Sequence, residues 1–78
     1  MKYYSIQAIF RSLSSKNPII MGKNSKDALL NYFKNEEKKV GIVNDKDNIN
    51  YSVVECDEEG RLHYDRRKWQ YYCVKLIN

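Results

Sequence analysis

One segment of this chain carries the signals of an amphipathic helix, and it is surrounded by segments that are patterned as strands. Asn24 and Ser25 are both good N-cap residues, and Asp27 places a negative charge at the positive end of the helix dipole. Four apolar residues then recur at helical spacing and form one stripe: Ala28, Leu29, Tyr32 and Phe33. Two lysines follow at the negative end of the dipole. These signals predict one helix over about residues 25–38.

The residues before the helix are patterned as two strands. Residues 2–11 alternate, so that one face collects four apolar side chains: Tyr4, Ile6, Ala8 and Phe10. A polar, turn-like segment follows, and Pro18 then opens a short apolar run at residues 19–21. Proline is tolerated at the start of a strand because its missing N–H costs little there. We predict a second strand over this run, paired with the first as a hairpin.

Further strand candidates and turns follow the helix. Residues 40–43 form a short β-branched run, and a segment rich in asparagine and aspartate separates them from an alternating segment at residues 49–56. The next turn contains Gly60, which is able to take a positive φ. Residues 61–64 are therefore predicted to return as a short partner strand.

The C-terminal segment is predicted as the last strand. Residues 69–77 contain aromatic and β-branched side chains, which favour extended structure. A helix is the alternative, because Asp65 is a suitable N-cap. Such a helix would carry four side chains on one stripe: Trp69, Tyr72, Cys73 and Leu76. The residue types make the strand the preferred interpretation.

Together these segments predict an α+β domain. A chain of 78 residues is long enough for one core, so residues 1–78 are interpreted as a single domain. We expect a single antiparallel sheet of four to five strands, with one helix packed on one face and the element order β-β-α-β-β-β. The other face of the sheet is expected to be exposed and to form the binding surface.

Charge is distributed in three blocks along the chain. Residues 1–43 carry eight Lys and Arg against three acids, residues 44–60 carry one Lys against six acids, and residues 61–78 carry five cations against one acid. The net charge of +4 therefore hides an acidic block between two basic ones. Because folding is able to place these blocks side by side, the net charge alone is weak support for nucleic-acid binding.

A basic and aromatic surface is the candidate binding site. Its members come from the two basic blocks: Lys2, Arg11, Arg61, Arg66, Arg67, Lys68, Trp69 and Tyr71. If they are exposed together, the cations would neutralise phosphates and the aromatic rings would stack on bases. The alternative, which we favour, is that the cations pair with acids of residues 44–60 across neighbouring strands.

No catalytic residue, metal site or cofactor is predicted. His63 is the only histidine, and a dyad of His63 with Cys56 lacks a third group that would orient it. The set Cys56, Asp57, His63 and Cys73 offers suitable ligand types for a metal but none of the usual spacings. The two cysteines are interpreted as free thiols, because a reducing compartment disfavours disulfides. A disulfide is the alternative, and it would need both a secreted context and the two residues side by side on neighbouring strands.

The sequence favours a small, cytoplasmic, non-enzymatic module that binds a macromolecule. We expect an accessory protein of bacterial, phage or mobile-element origin whose partner is another protein. RNA or DNA binding through the basic and aromatic C-terminal segment is the first alternative. A self-associating structural subunit, such as a homodimer formed through an exposed sheet edge, is the second. No apolar run is long enough to span a membrane, and no membrane partner is expected.

Overall fold

The computed structural model describes residues 1–9, 17–62 and 68–77. Within these residues, five antiparallel strands form one sheet and one α-helix packs on it, so the predicted α+β class is confirmed. The elements follow the predicted order β-β-α-β-β-β: β1 Lys2–Ala8, β2 Ile19–Gly22, α1 Ser25–Asn35, β3 Val40–Val43, β4 Tyr51–Cys56 and β5 Trp69–Leu76. A single 3-10 turn, Lys46–Asn48, lies between β3 and β4.

The strands lie in the order β2-β1-β4-β5-β3, and the sheet is an open, curled half-barrel. β3 and β4 therefore lie on opposite sides of β5, and the connection at residues 44–50 has to cross from one side to the other. The Asn50 side chain donates to the Val74 carbonyl at 2.9 Å and accepts from the Val74 N–H at 2.8 Å. It thereby extends the hydrogen bonding between β4 and β5 beyond the first residue of β4.

The helix begins as predicted and ends earlier than predicted. Asn24 caps it by accepting a hydrogen bond from the Asp27 N–H at 2.8 Å. The helix ends at Asn35 because Glu37 takes a positive φ of 58°. The Lys38 N–H then bonds back to the Phe33 carbonyl at 2.9 Å, which completes a Schellman motif. A glutamate thus occupies a position that usually belongs to glycine.

The main core lies between α1 and one face of the sheet. Ile6, Leu29 and Val53 are the largest fully buried side chains, and the predicted helical stripe packs there. At Gly22, a Cβ atom would lie 2.6 Å from the backbone nitrogen of Ala28. Because α1 approaches the end of β2 this closely, only glycine fits at this position without a shift of the helix.

The opposite side of the sheet is less exposed than predicted. We call this side the second face. It consists of every second residue of each strand, beginning with Tyr3 in β1, Ile19 in β2, Gly41 in β3, Ser52 in β4 and Trp69 in β5. Several of its side chains are buried: Ser5, Ser52, Val54, Cys56 and Cys73. The sheet curls, and the turn after β4 folds against β2, where a Cβ on Gly60 would lie 2.8 Å from Ile19 Cδ1. The exposed area is therefore at the two ends of this face.

The two uncertain segments near the C-terminus have different outcomes. β5 is a strand over Trp69–Leu76, so the preferred interpretation is confirmed and the helical alternative is wrong. The predicted strand at residues 61–64 is reduced, in the described part, to one isolated bridge between Leu62 and Cys56. Residues 63 and 64 lie outside the described residues.

The helix content also bears on the membrane prediction. Across residues 1–9, 17–62 and 68–77, no helix has the length and apolar character that a membrane crossing requires. The only α-helix there, α1, has eleven residues.

Candidate binding surface

The two aromatic residues of the candidate surface lie on the second face. In β5, Trp69 is paired with Val54 and Tyr71 with Ser52, both of which point away from α1. Trp69 is half-buried, whereas the side chain of Tyr71 is 55% exposed. Tyr71 is therefore the aromatic residue of this pair that a partner is able to contact over a large area.

Lys2 does not share this face. It alternates with Tyr4 and Ile6 in β1, so it lies on the side of the sheet that α1 covers. Its Nζ atom lies 3.4 Å from Glu55 Oε1. Lys2 is therefore separated by the sheet from Tyr71, and its charge is balanced by an acid of the 44–60 block.

Arg61 is paired with the acidic turn that precedes it. Its Nε atom lies 2.8 Å from Asp57 Oδ2, and its guanidinium also lies 3.1 Å from Glu59 Oε2. The hydrogen bond from the Arg61 backbone N–H, followed by weaker contributions from its side chain, lowers the pKa of Asp57. For Arg61, the structure thus adopts the pairing with acids that the charge pattern favours.

The other predicted cations are described only in part. Arg11, Arg66 and Arg67 lie outside the described residues. Lys68 is exposed and directly precedes β5. Of the three cations of this set within the described residues, Lys2 and Arg61 are engaged by carboxylates.

Apolar side chains, rather than cations, dominate the exposed ends of the second face. At the β2 end, Ile19, Met21 and Leu62 are 38–44% exposed. At the other end, Tyr71 and Val43 are exposed to 55% and 38%. Sequence reasoning missed the three aliphatic residues at the β2 end, although Ile19 and Met21 alternate with Ile20, which packs against the core. Their spacing is the signal that would have found them.

A groove of about 320 Å³ lies beside Tyr71. It is lined by the end of β3, the connection at residues 44–50 and β5, with Ile42, Val43, Ile49, Tyr71, Tyr72 and Cys73 as its apolar part. The polar part is supplied by Lys26, Asn44, Asp45 and Lys46. Its size and mixed lining suit the insertion of one side chain of a partner.

Asp45 is a fixed negative charge in this groove. Its carboxylate accepts hydrogen bonds from the Asn48 side chain at 2.8 Å and from the Asp47 N–H at 3.1 Å. The bond from Asn48 is the main reason that the pKa of Asp45 is lowered. The groove therefore combines apolar walls with a carboxylate that is held in place.

The cysteines are distant from each other. Because Tyr51 is paired with Tyr72, Cys73 lies beside Asn50, six positions along β4 from Cys56. At about 3.3 Å per residue this is roughly 20 Å, well beyond the separation that a disulfide requires. Both thiols are free and buried, and burial raises the pKa of Cys56. The described residues contain no group of three or more metal-ligand side chains, and His63 lies outside them.

Comparison with protein-family models, with curated proteins and with solved structures finds no match to this chain. The geometry and chemistry of the surface are thus the basis for a functional proposal.

Proposed function

We propose that this chain is a non-enzymatic module that binds another protein through the Tyr71 end of the second face. The observation that carries the proposal is the exposure of Tyr71 beside the groove between β5 and the 44–50 connection. Tyrosine contributes a large, rigid contact area at a low entropic cost, and it is enriched among residues that dominate binding energy. The contact would be centred on Tyr71 and Val43, with a partner side chain in the groove.

The charge arrangement supports a protein partner over a nucleic acid. Binding to phosphates depends on cations that are free to replace counterions. Lys2 and Arg61 are instead engaged by Glu55, Asp57 and Glu59. The groove itself has a mixed charge, with Asp45 beside Lys26 and Lys46, and the Asp45 carboxylate suits a basic or hydrogen-bonding group of a polypeptide.

Nucleic-acid binding is the second candidate, and one observation favours it. Trp69, Tyr71 and Lys75 alternate along the same face of β5, and Lys75 is exposed. This is a stacking platform with a cation beside it. Such a function predicts binding to single-stranded probes that weakens steeply as salt is added.

The test compares three forms of the tagged chain in a lysate treated with nuclease. The forms are the unaltered chain, Tyr71→Ser, and Leu30→Ser, which makes a similar apolar-to-polar change at an exposed position on α1. We expect the unaltered chain and Leu30→Ser to recover the same protein and Tyr71→Ser to lose it. Calorimetry with the purified partner should then show an affinity loss of about tenfold or more for Tyr71→Ser.

Two outcomes would contradict the proposal. Equal recovery by all three forms would place the contact elsewhere on the molecule. Loss of every partner on nuclease treatment, together with salt-dependent binding of a single-stranded oligonucleotide by the purified chain, would replace it with the nucleic-acid function.

A further inference from the structure

The outer edge of β3 presents unpaired backbone groups. All four residues of β3 have partners in β5, and the Lys39 carbonyl, just before the strand, accepts from the Ile77 N–H at 2.8 Å, so Lys39 bonds inward. Since hydrogen-bonding direction alternates along a strand, the N–H and C=O groups of Val40 and Ile42 point away from β5. Within the described residues the structure records no partner for these four groups.

The strand at this edge is uncharged, and its α1 side is apolar. β3 contains no charged residue, and Val40 and Ile42 are only half-buried. Leu76 flanks the strand on the α1 side and is 70% exposed, while Ile77 and Val43 are exposed beside it. α1 packs chiefly against β2, at the far end of the sheet. An uncharged edge with exposed apolar neighbours is a template for another strand.

We propose that a second copy of this chain occupies this edge, with the two β3 strands antiparallel about a two-fold axis at Gly41. In this register Val40 of each copy lies opposite Ile42 of the other. All four outward backbone groups of each copy are then paired, and the two five-stranded sheets become one continuous sheet. This edge adjoins the surface proposed for binding another protein, and Val43 belongs to both, whereas Tyr71 belongs only to the latter.

The side chains around this axis are complementary to themselves, as a two-fold contact requires. On the α1 side, Val40 of one copy meets Ile42 of the other across the interface, and both are β-branched. Within each copy, Leu76 is the neighbour of Val40 in β5 and Val74 is the neighbour of Ile42. Gly41 meets its own copy at the closest approach of the two strands and brings no side chain.

The flanking charges also match. In this register Lys39 of one copy faces Val43 of the other, and Asp45 is its diagonal neighbour within reach of a lysine side chain. Asp45 lies two residues beyond the end of β3 and has extended dihedral angles, with φ −131° and ψ 96°. The two-fold symmetry forms this pair of opposite charges twice. A partner strand with a different charge pattern would not form it.

The first experiment is sedimentation equilibrium of the full chain from low micromolar to about 1 mM. We expect a reversible dimer. Val43→Lys places a cation opposite Lys39 of the other copy and should raise the dimer Kd roughly three- to tenfold, whereas Val43→Glu should leave it unchanged or lower it. A role of Val43 in folding alone would not make the dimer respond to the sign of the charge.

A second pair of variants separates the two edges of the sheet. Ile42→Pro removes an outward N–H from β3, and Met21→Pro removes one from β2, where even-numbered residues pair with β1. We expect only Ile42→Pro to convert the dimer to monomer, and Tyr71→Ser to leave it intact. If Ile42→Pro does not fold, the two Val43 variants decide.

The proposal is overturned by any of three results. Sedimentation of the chain as a monomer up to about 1 mM would exclude the dimer. Equal dimer Kd values for Val43→Lys and Val43→Glu would contradict the proposed register of the two β3 strands. Loss of the dimer in Met21→Pro but not in Ile42→Pro would move the contact to β2.

Discussion

The two edge strands, β2 and β3, have the same length but different protection. The Met21 carbonyl, which points outward from β2, accepts a hydrogen bond from the Asn31 side chain at 3.2 Å. α1 also packs closely against the end of β2 at Gly22. β3 has no comparable cover among the described residues. The comparison shows that one helix, placed at one end of a five-stranded sheet, protects one edge and leaves the other available.

The largest expected effect tests how closely the helix covers β2. In Gly22→Ala the new Cβ would meet the backbone of Ala28 at 2.6–2.8 Å, so α1 has to move. We expect the free energy of unfolding to fall by about 2–3 kcal/mol, measured by urea denaturation.

The matched control is the glycine of the other edge strand. In Gly41→Ala the new Cβ would meet only the end of the flexible Ile77 side chain, at 3.0 Å. We expect a loss of less than about 1 kcal/mol. Equal losses for Gly22→Ala and Gly41→Ala would show that the two edges do not differ in this respect.

The next effect concerns the side chain that covers the β2 edge. Asn31→Asp keeps the size of the side chain but removes the N–H donor to the Met21 carbonyl. We expect a loss of about 1 kcal/mol in urea denaturation at pH 7. The same change at Asn35, the last residue of α1, separates the lost hydrogen bond from the general effect of a new charge on the helix. Similar losses at both positions would mean that the bond to β2 contributes little.

The helix end that leads into β3 offers a smaller, stabilising change. Glu37 holds a φ of 58°, which is unfavourable for a residue with a Cβ. Glu37→Gly should raise the free energy of unfolding by about 0.5–1 kcal/mol. Glu36→Gly is the control and should lower it, because Glu36 has an ordinary φ of −85°. A decrease for both variants would contradict the strain at Glu37.

The smallest effect is a dependence on pH, and it involves one carboxylate near each edge. The pKa of Asp57 is lowered mainly by the Arg61 N–H, and that of Asp45 mainly by the Asn48 side chain. Since both folded pKa values lie below the unfolded ones, the unfolded chain binds protons more readily as the pH falls. The stabilisation is present above about pH 4 and is lost as the pH falls through the folded pKa values.

Asp57→Asn and Asp45→Asn should each make this acid-induced loss shallower in denaturation curves recorded from pH 6 to about pH 2.5. An unchanged slope in both variants would show that neither carboxylate is stabilised by its hydrogen bonds. A change in Asp45→Asn alone would assign the effect to the β3 side of the molecule.

Local sequence patterns predicted most elements of the fold. The cap at Asn24 and the spacing from Ala28 to Phe33 defined the start and the buried face of α1. Its early end was not predicted, because a glutamate in a left-handed conformation, as at Glu37, has no sequence signature. Alternation identified β1, β4 and the face that packs on the helix. The pairing of β3 with β5 was not predicted, because it joins residues thirty or more positions apart.

The candidate surface was predicted less well, partly for a reason visible in the sequence. Lys2 is two residues before Tyr4 in β1, so alternation alone places it on the core side of the sheet. Trp69 and Tyr71 do share a face, as alternation requires. That Tyr71 is open while Trp69 is half-buried depends on contacts from other parts of the chain.

The sequence by itself determined the class of this protein: a single helix set by its cap and apolar stripe, strands set by alternation, and a local pairing of Arg61 with Asp57 four residues away. These depend on neighbours in the chain, whose spacing is readable from the order of residues. Only the tertiary structure decided that α1 covers β2, that the second face is partly buried and that the edge of β3 stays open. Those properties depend on which distant segments meet, and local periodicity does not specify that choice.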